Sequence, residues 1–208
     1  MEISTEGLAY WYFRLNGFLT TVNFLIHPET PRDSTTDVDI LGVRFPHRLE
    51  NLRRPMRDDA LFTMTRTRIY IVLAEIKLGL CDLNGPWTTP ATETMRKVLR
   101  AVGAFPVDDV GRSADRLYSD GTFSDRRFVI SLCCVGARLN AQLRGRYPRV
   151  PQITWDHILD FIFGRFKDYS REKAQHSQWD ENGHKLWERA EACTSTEEYR
   201  ESVQVVAP

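Results

Sequence analysis

The chain has 208 residues, of which 42% are hydrophobic, and its 28 Lys and Arg residues balance 28 Asp and Glu residues, so its formal net charge is zero. This length is enough for one domain with a buried core, whereas two full domains are not expected. Zero net charge excludes a global basic field that would attract nucleic acid, so any polyanion site must come from local clustering of charge.

No segment has the pattern of an export signal or a membrane anchor. The N-terminus lacks a basic n-region and a long apolar h-region, and no apolar run approaches the length of a membrane span. We therefore expect a soluble, cytoplasmic protein with no membrane contact. No Walker motif appears, so no nucleotide cofactor is expected. The cysteines lack zinc-type spacing and are expected to be reduced: Cys81, Cys133, Cys134 and Cys193.

The N-terminal half of the chain predicts the order helix, strand, loop, strand. Ser4 or Thr5 is suited to cap a first helix, which Gly17 ends. Residues 27–34 have the Pro, Asp and Ser content of a loop. Strands are expected over residues 18–26, 37–45 and 69–77.

The C-terminal half predicts mainly helices. Helices are expected over residues 92–104, over 137–146 and from residue 155 onward, with a buried strand at 128–135. Pro106 is expected to end the first of these helices, and the polar, turn-rich segment 107–125 has at best a moderate strand signal, around residues 116–118. Thr154 is suited to cap the long helix, and Trp179 is expected to help anchor a final one. Residues 198–208 indicate a frayed tail.

Charged residues lie near the ends of the two central strands. Asp37 and Asp39 open one strand, and Glu75 and Lys77 close the other. Alternate residues of a strand share a face, so two carboxylates and an ammonium are expected to converge. Charge on an otherwise apolar strand is costly unless it is paired or binds a metal. The alternatives are that Glu75 and Lys77 form a simple strand-end salt bridge, and that Asp37 is a solvated turn residue.

Two other stretches carry candidate nucleic-acid contacts. Residues 46–68 are rich in arginine, and a long loop in a compact domain is usually functional or mobile. These arginines either contact phosphate or pair with Glu50, Asp58 and Asp59 as a solvated surface. Basic residues on the helix after the second central strand either face DNA or form an ordinary exposed surface. The candidates are Arg48, Arg53, Arg54, Arg57, Arg96 and Lys97.

A helix, a strand, a strand with Asp and a strand with Glu-x-Lys, in that order, resemble the core of the PD-(D/E)XK nuclease superfamily, also called restriction-endonuclease-like. Asp39 matches the metal-binding Asp of the family, while Glu75 and Lys77 match its (D/E)-x-K pair. Glu6, in the first helix, matches an acidic residue that many members carry there. The proline of the named motif is absent, since Val38 precedes Asp39. The resemblance covers roughly the first half of the chain.

The resemblance implies an α/β fold in which helices flank a central mixed β-sheet, as in a restriction-endonuclease-like core. We expect a single domain over residues 1–208, with a nuclease-like core at 4–146. A helical C-terminal extension at 150–200 is expected to pack on that core.

The resemblance also implies a Mg²⁺- or Mn²⁺-dependent deoxyribonuclease that hydrolyses phosphodiester bonds. The implied metal ligands are Asp39, Glu75, the backbone carbonyl of Ile76 and, secondarily, Asp37. Lys77 would stabilise the transition state, with Glu6 supporting the site. The expected partners are DNA or RNA and, because the chain is small and neutral, a second copy in a homodimer or a partner protein. The alternative is a catalytically inactive module of the same fold that binds nucleic acid or a protein.

Overall fold

A computed structural model of the chain describes residues 1–27, 36–63, 67–174 and 180–208. Most of the loop expected at residues 27–34, and Trp179 of the expected final helix, lie outside the described residues. The strands are β1 (Glu2–Ser4), β2 (Leu19–Ile26), β3 (Thr36–Arg44), β4 (Ile69–Ile76), β5 (Thr122–Ser124), β6 (Phe128–Gly136), β7 (Gln152–Thr154) and β8 (Gln204–Val206). The helices are α1 (Thr5–Leu15), α2 (Ala60–Thr63), α3 (Gly85–Thr88), α4 (Thr94–Val102), α5 (Val107–Asp120), α6 (Ala141–Arg146), α7 (Trp155–Asp168), α8 (Ser170–Lys173), α9 (Glu181–Ala192) and α10 (Thr196–Ser202).

The central sheet is mixed. Its strands lie in the order β2-β3-β4-β6-β5, and β7 pairs with β6. Neighbours among β2, β3 and β4 are antiparallel, whereas β4 and β6 are parallel. A separate small sheet pairs β1 with β8 in parallel. The predicted α/β class, with a mixed central sheet flanked by helices, is confirmed.

The side chains of β4 alternate between the two faces of the sheet and are apolar on both, so helices pack on both faces. Val72 and Ala74 belong to the core formed with α1, α7, α9 and α10. Ile71 and Leu73 belong to the opposite core, formed with α3, α4 and α5. Burial on both faces explains why this strand is a nearly unbroken apolar run.

The predicted caps of α1 and α7 are confirmed. Ser4 Oγ accepts a hydrogen bond from the Gly7 N–H, and Thr154 Oγ1 accepts one from the His157 N–H. Gly17 follows α1 with a φ of 80°, a left-handed conformation that favours glycine. Across the described ranges, none of these helices combines the length and the apolar character needed to cross a membrane.

The prediction for residues 107–125 is wrong, because most of this segment forms α5. The helix buries one narrow face and exposes a wide polar one, so its average composition resembles that of a loop. The buried face consists of Val110, Ser113, Ala114, Leu117 and Tyr118. The preceding helix, α4, ends before Pro106, because Gly103 adopts a φ of 70° directly after it.

The prediction of a frayed tail at residues 198–208 is also wrong. Tyr199 is fully buried and Val203 is 5% exposed, so α10 packs on the core. The following strand, β8, pairs with β1, and Glu2 lies opposite Gln204. This pairing joins the two ends of the described chain, and no local sequence pattern encodes it.

Buried charges hold the segment between β3 and β4 against α7. The Arg165 side chain is 2% exposed and forms an ion pair with Asp58 at 3.3 Å. Its guanidinium also donates to the Leu15 and Arg57 carbonyl oxygens at 2.9 and 2.6 Å. Asp58 pairs in addition with Arg44 at 2.6 Å. Loss of one partner would leave a desolvated charge and carbonyl oxygens without compensation.

Arg165→Ala is therefore expected to lower the free energy of unfolding by about 3 kcal/mol, which chemical denaturation measures. Arg112→Ala is the matched control, because Arg112 pairs with Asp109 on the exposed surface of α5. Little change is expected from the control. Equal losses in the two variants would contradict a structural role for the buried ion pair.

Candidate active site

Asp39 and Glu75 are neighbours where the pairing of β3 with β4 ends. The last pair in the register joins Ile40 to Ala74, so Asp39 and Glu75 are the residues next to that pair on the two strands. The Ile76 N–H donates to Asp39 Oδ2 at 2.6 Å. A side-chain carboxylate therefore takes the place of a main-chain acceptor at this end of the sheet.

Glu75 is a buried carboxylate with a donor on each oxygen. The residue is 3% exposed. Lys77 Nζ donates to its Oε1 at 2.6 Å, and Trp87 Nε1 donates to its Oε2 at 2.6 Å. Burial of a carboxylate requires such compensation by charge and hydrogen bonds. The structure thus brings together Glu75 and Lys77, as predicted from their alternation along the strand.

Lys77 lies between the buried carboxylate and solvent. Its side chain is 28% exposed, and its Nζ also donates to Asn84 Oδ1 at 2.8 Å. An ammonium group has three N–H donors. Among the residues that the structure describes, the contacts to Glu75 and Asn84 use two of them. One donor of Lys77 thus remains for a ligand or water.

Asp39 has an unusually basic carboxylate. Burial raises the pKa of the Asp39 carboxyl to about 6, and the nearby Glu75 and Asp37 carboxylates act in the same direction. The Ile76 N–H and the Lys77 ammonium oppose this rise in pKa but do not cancel it. A carboxylate with a raised pKa in a partly buried position gains more from a bound cation than an ordinary exposed one does.

The other predicted acids are not joined to Lys77 by any hydrogen bond or ion pair within the described ranges. Glu6 lies on α1, which packs on the face of the sheet opposite Trp87, and its carboxylate accepts a hydrogen bond from Thr5 Oγ1 at 3.0 Å. Asp37 is exposed at the start of β3 and acts on Asp39 through its charge.

The predicted arginines of the segment between β3 and β4 lie at the other end of the sheet. Asp39 is near the start of β3, whereas the segment leaves after Arg44, about 17 Å along the strand. Arg48 is engaged in ion pairs with Asp58 and Glu50. The remaining three, Arg53, Arg54 and Arg57, are exposed.

Arg96 and Lys97 lie on α4, which packs on the same face of the sheet as Trp87. Arg96 pairs with Glu93 at 3.1 Å and with Asp115 at 3.4 Å, both on the exposed surface. Its charge is therefore partly compensated by the N-cap residue of its own helix and by Asp115 of α5. Of the predicted basic residues, these two share a face of the sheet with the carboxylate cluster.

The donor set suits a hard divalent cation. In the portion of the chain with described coordinates, no three His, Cys, Asp or Glu side chains form a metal-binding group. Asp39 and Glu75 nevertheless supply two carboxylates, with oxygen as the only donor element. Mg²⁺ is commonly held by one or two carboxylates, with water and phosphate oxygens completing its shell.

Asn84 and Trp87 are site residues that the sequence did not reveal. Both lie between Lys77 and α4, in a segment for which the sequence predicted neither a helix nor a strand. Nothing in their spacing indicates that the Trp87 indole contacts Glu75 or that the Asn84 amide contacts Lys77. The only signal is chemical, since a buried Glu must find donors and an indole N–H is one.

Asp39→Asn is expected to raise the free energy of unfolding near pH 8 by about 1 kcal/mol. Two units of pKa correspond to about 2.7 kcal/mol, and partial solvent exposure of the carboxyl reduces this value. The gain should be present above the folded pKa of about 6, where the wild type keeps a carboxylate in the fold. It should vanish below the unfolded pKa of about 3.9, where both states are neutral.

Urea denaturation at several pH values measures this effect, because asparagine keeps an acceptor for the Ile76 N–H. Asp168→Asn, at an exposed position on α7, is the control and should change stability little at any pH. Destabilisation of the Asp39 variant near pH 8, or a gain that persists unchanged below pH ~4, would contradict the raised pKa.

Comparisons with known proteins do not identify a family. No family model matches the chain, and no curated protein or solved structure matches it significantly. The relationship to PD-(D/E)XK nucleases therefore stays a prediction that depends on the residues and geometry described above.

Proposed function

We propose that the protein is a metal-dependent nuclease that hydrolyses phosphodiester bonds in DNA, with Asp39, Glu75 and Lys77 as its reactive groups. The observation that carries this proposal is the contact of Lys77 Nζ with Glu75 Oε1 at 2.6 Å, at a strand end where Asp39 Oδ2 accepts a hydrogen bond from the Ile76 N–H. The elements that contain these residues follow the order helix, strand, strand with Asp, strand with Glu-x-Lys. A PD-(D/E)XK core has the same order.

Asp39 and Glu75 would hold Mg²⁺ or Mn²⁺, with the backbone carbonyl of Ile76 as a further oxygen ligand. The ion, when bound, lowers the pKa of a coordinated water and neutralises charge on the phosphate. Lys77 contributes its remaining N–H donor, which can orient the attacking water or stabilise charge that develops on phosphate oxygens. Trp87 and Asn84 accompany this group as its nearest hydrogen-bond partners.

Several residues that the sequence suggested as catalytic or nucleic-acid-binding have smaller roles in this arrangement. The Glu6 carboxylate lies on the other face of the sheet and accepts a hydrogen bond from Thr5 Oγ1, so Glu6 has no reactive role. Arg48 already neutralises Asp58 and Glu50. Arg96 and Lys97 are the basic residues best placed to meet a DNA backbone near the carboxylates.

Glu75→Gln and Lys77→Ala are each expected to reduce cleavage of plasmid and linear DNA in Mg²⁺ by about 100-fold or more, because each removes a group that acts on the transition state. Gel-based rates measure the loss. Lys185→Ala is the matched control, since Lys185 pairs with Glu181 on the exposed surface of α9. Equal cleavage by wild type and both site variants would sink the assignment.

A second function, a non-catalytic nucleic-acid-binding module, is favoured by a cleft at the opposite end of the sheet. This arginine cleft, of about 630 Å³, is lined by Arg53, Arg54 and Arg57, by α7 residues that include Phe161, and by Tyr169 directly after α7. The Arg54 guanidinium lies 4.9 Å from the centre of the Tyr169 ring.

The charge of the arginine cleft is suited to phosphate. Within the described ranges, Arg53 and Arg57 form no ion pair. Two acids also line the cleft, but Asp160 is engaged by Arg200, which leaves Asp168. Exposed guanidinium groups bind phosphate oxygens through paired hydrogen bonds. The cleft is thus the surface that a binding module would use.

The triple variant Arg53→Ala, Arg54→Ala, Arg57→Ala is expected to weaken binding to a short DNA duplex. The slope of log affinity against log salt should become shallower by about 2 to 3, because each phosphate contact releases about one counterion. Fluorescence anisotropy at several salt concentrations measures the slope, with Arg112→Ala as control. An unchanged slope would remove the arginine cleft from the binding surface.

Calorimetry with Mn²⁺ separates the two functions. For a nuclease, we expect heat of Mn²⁺ binding that is lost in Asp39→Asn and Glu75→Gln. Steep salt-dependent DNA binding without any such heat would favour the module.

A further inference from the structure

Asn84 lies at the N-terminus of a helix, where an asparagine side chain normally caps the helix, but the side chain of Asn84 does not do so. It is the N-cap of α3, and asparagine is among the best N-cap residues. Its side chain, however, caps no N–H of the helix. Its Oδ1 instead accepts a hydrogen bond from Lys77 Nζ at 2.8 Å. The amide is therefore used for Lys77 at the expense of the helix end.

Trp87 is the second partner from the same segment. The residue is 3% exposed and packs in the core formed with α4 and α5. Its indole has one N–H, which donates to Glu75 Oε2 at 2.6 Å. Trp11 Nε1 also donates to a carboxylate, Asp180 Oδ1, at 2.9 Å, whereas Trp155 Nε1 donates to the Leu78 carbonyl oxygen. Trp187 Nε1 is buried and has no hydrogen-bond partner among the residues that the structure describes.

Together these contacts determine the geometry of the carboxylate and the ammonium. Without Trp87, Glu75 Oε2 would lose its donor and the carboxylate could rotate about its terminal bond. Without Asn84, the Lys77 ammonium would have only Glu75 to orient it. A long side chain with a single partner samples several rotamers, and a misplacement of about 1 Å can cost about 100-fold in rate.

We propose that Asn84 and Trp87 are positioning residues for the reaction, which together hold Glu75 and Lys77 so that one Lys77 donor faces the substrate phosphate. This inference rests on the proposed nuclease function. Trp87 fixes the carboxylate from the core side, and Asn84 fixes the ammonium from the solvent side. Neither residue touches the reacting atoms.

The first test compares two asparagines that occupy equivalent helix positions. Asn140 is the N-cap of α6, and its Oδ1 accepts from the Gln142 and Leu143 N–H groups. Asn84→Ala is expected to lower kcat by about 10- to 100-fold, with little change in KM or in the unfolding midpoint. Asn140→Ala should show the reverse, a lower unfolding midpoint with unchanged kcat.

Asn84→Asp should restore most of the rate, because it keeps an acceptor oxygen for Lys77. A wild-type kcat in Asn84→Ala would overturn the role of Asn84. A rate loss that merely parallels a lowered unfolding midpoint would do so too.

The second test does not depend on activity. The indole N–H resonance of Trp87, assigned through Trp87→Phe, should lie downfield in the ¹H–¹⁵N spectrum and move upfield in Glu75→Gln, because a neutral acceptor bonds more weakly than a carboxylate. The Trp155 resonance is the internal control and should not move. A Trp87 resonance that does not move in Glu75→Gln would rule out the hydrogen bond between Trp87 and Glu75.

The two tests keep this inference separate from the proposed function. A wild-type protein that cleaves no DNA removes the nuclease proposal, whereas the indole resonance still decides whether Trp87 holds Glu75. Cleavage that requires Glu75 and Lys77 but is unaffected by Asn84→Ala and Trp87→Phe keeps the nuclease and removes the positioning residues.

Discussion

The buried carboxylate of Glu75 is the constraint around which one end of the sheet is arranged. A charge in the interior of a domain is stable only if nearby groups replace the water that it has lost. In this protein the replacement comes from two directions, an ammonium two residues further along the chain, directly after the strand, and an indole from a separate segment. The chain between them has to turn back over β4, which fixes the position of α3 and, through packing, that of α4. Glu75 is thus both a buried charge that the fold has to compensate and a proposed reactive group.

A second group of buried charges dominates the other end of the sheet. Arg165 and Asp58 join α7 to the segment that follows β3, and Arg44 adds a third member from the sheet itself. Each of these charges has an ion-pair partner, although burial still lowers the pKa of the Arg165 guanidinium. Asp39 forms no ion pair with any described residue, and burial raises the pKa of its carboxyl to about 6. Paired buried charges are typical of a structural ion network, whereas an unpaired carboxyl with a raised pKa is more typical of a place where a ligand acts.

The sequence was sufficient to predict that Asp39, Glu75 and Lys77 lie near one another, because strand periodicity and charge at strand ends are local properties. The helix caps at Ser4 and Thr154 were predictable for the same reason. The position of the arginine-rich segment was missed because its charge was considered without the direction of the strand before it. The segment leaves β3 at the end remote from Asp39. Trp87 and the strand β8 could not be predicted, since each depends on where a distant part of the chain returns. The helix α5 was missed because its buried stripe is narrow and partly polar.

The pairing of β1 with β8 has a consequence for how the protein is made. Glu2 meets Gln204 across nearly the whole length of the chain. Contacts between residues so far apart in sequence close the largest loops and are favourable only after the intervening chain is ordered. During synthesis, the first strand therefore has no partner until residues 204–206 have left the ribosome. The sheet around Glu75 can form before then, whereas the small sheet of β1 and β8 forms only after β8 has been synthesised.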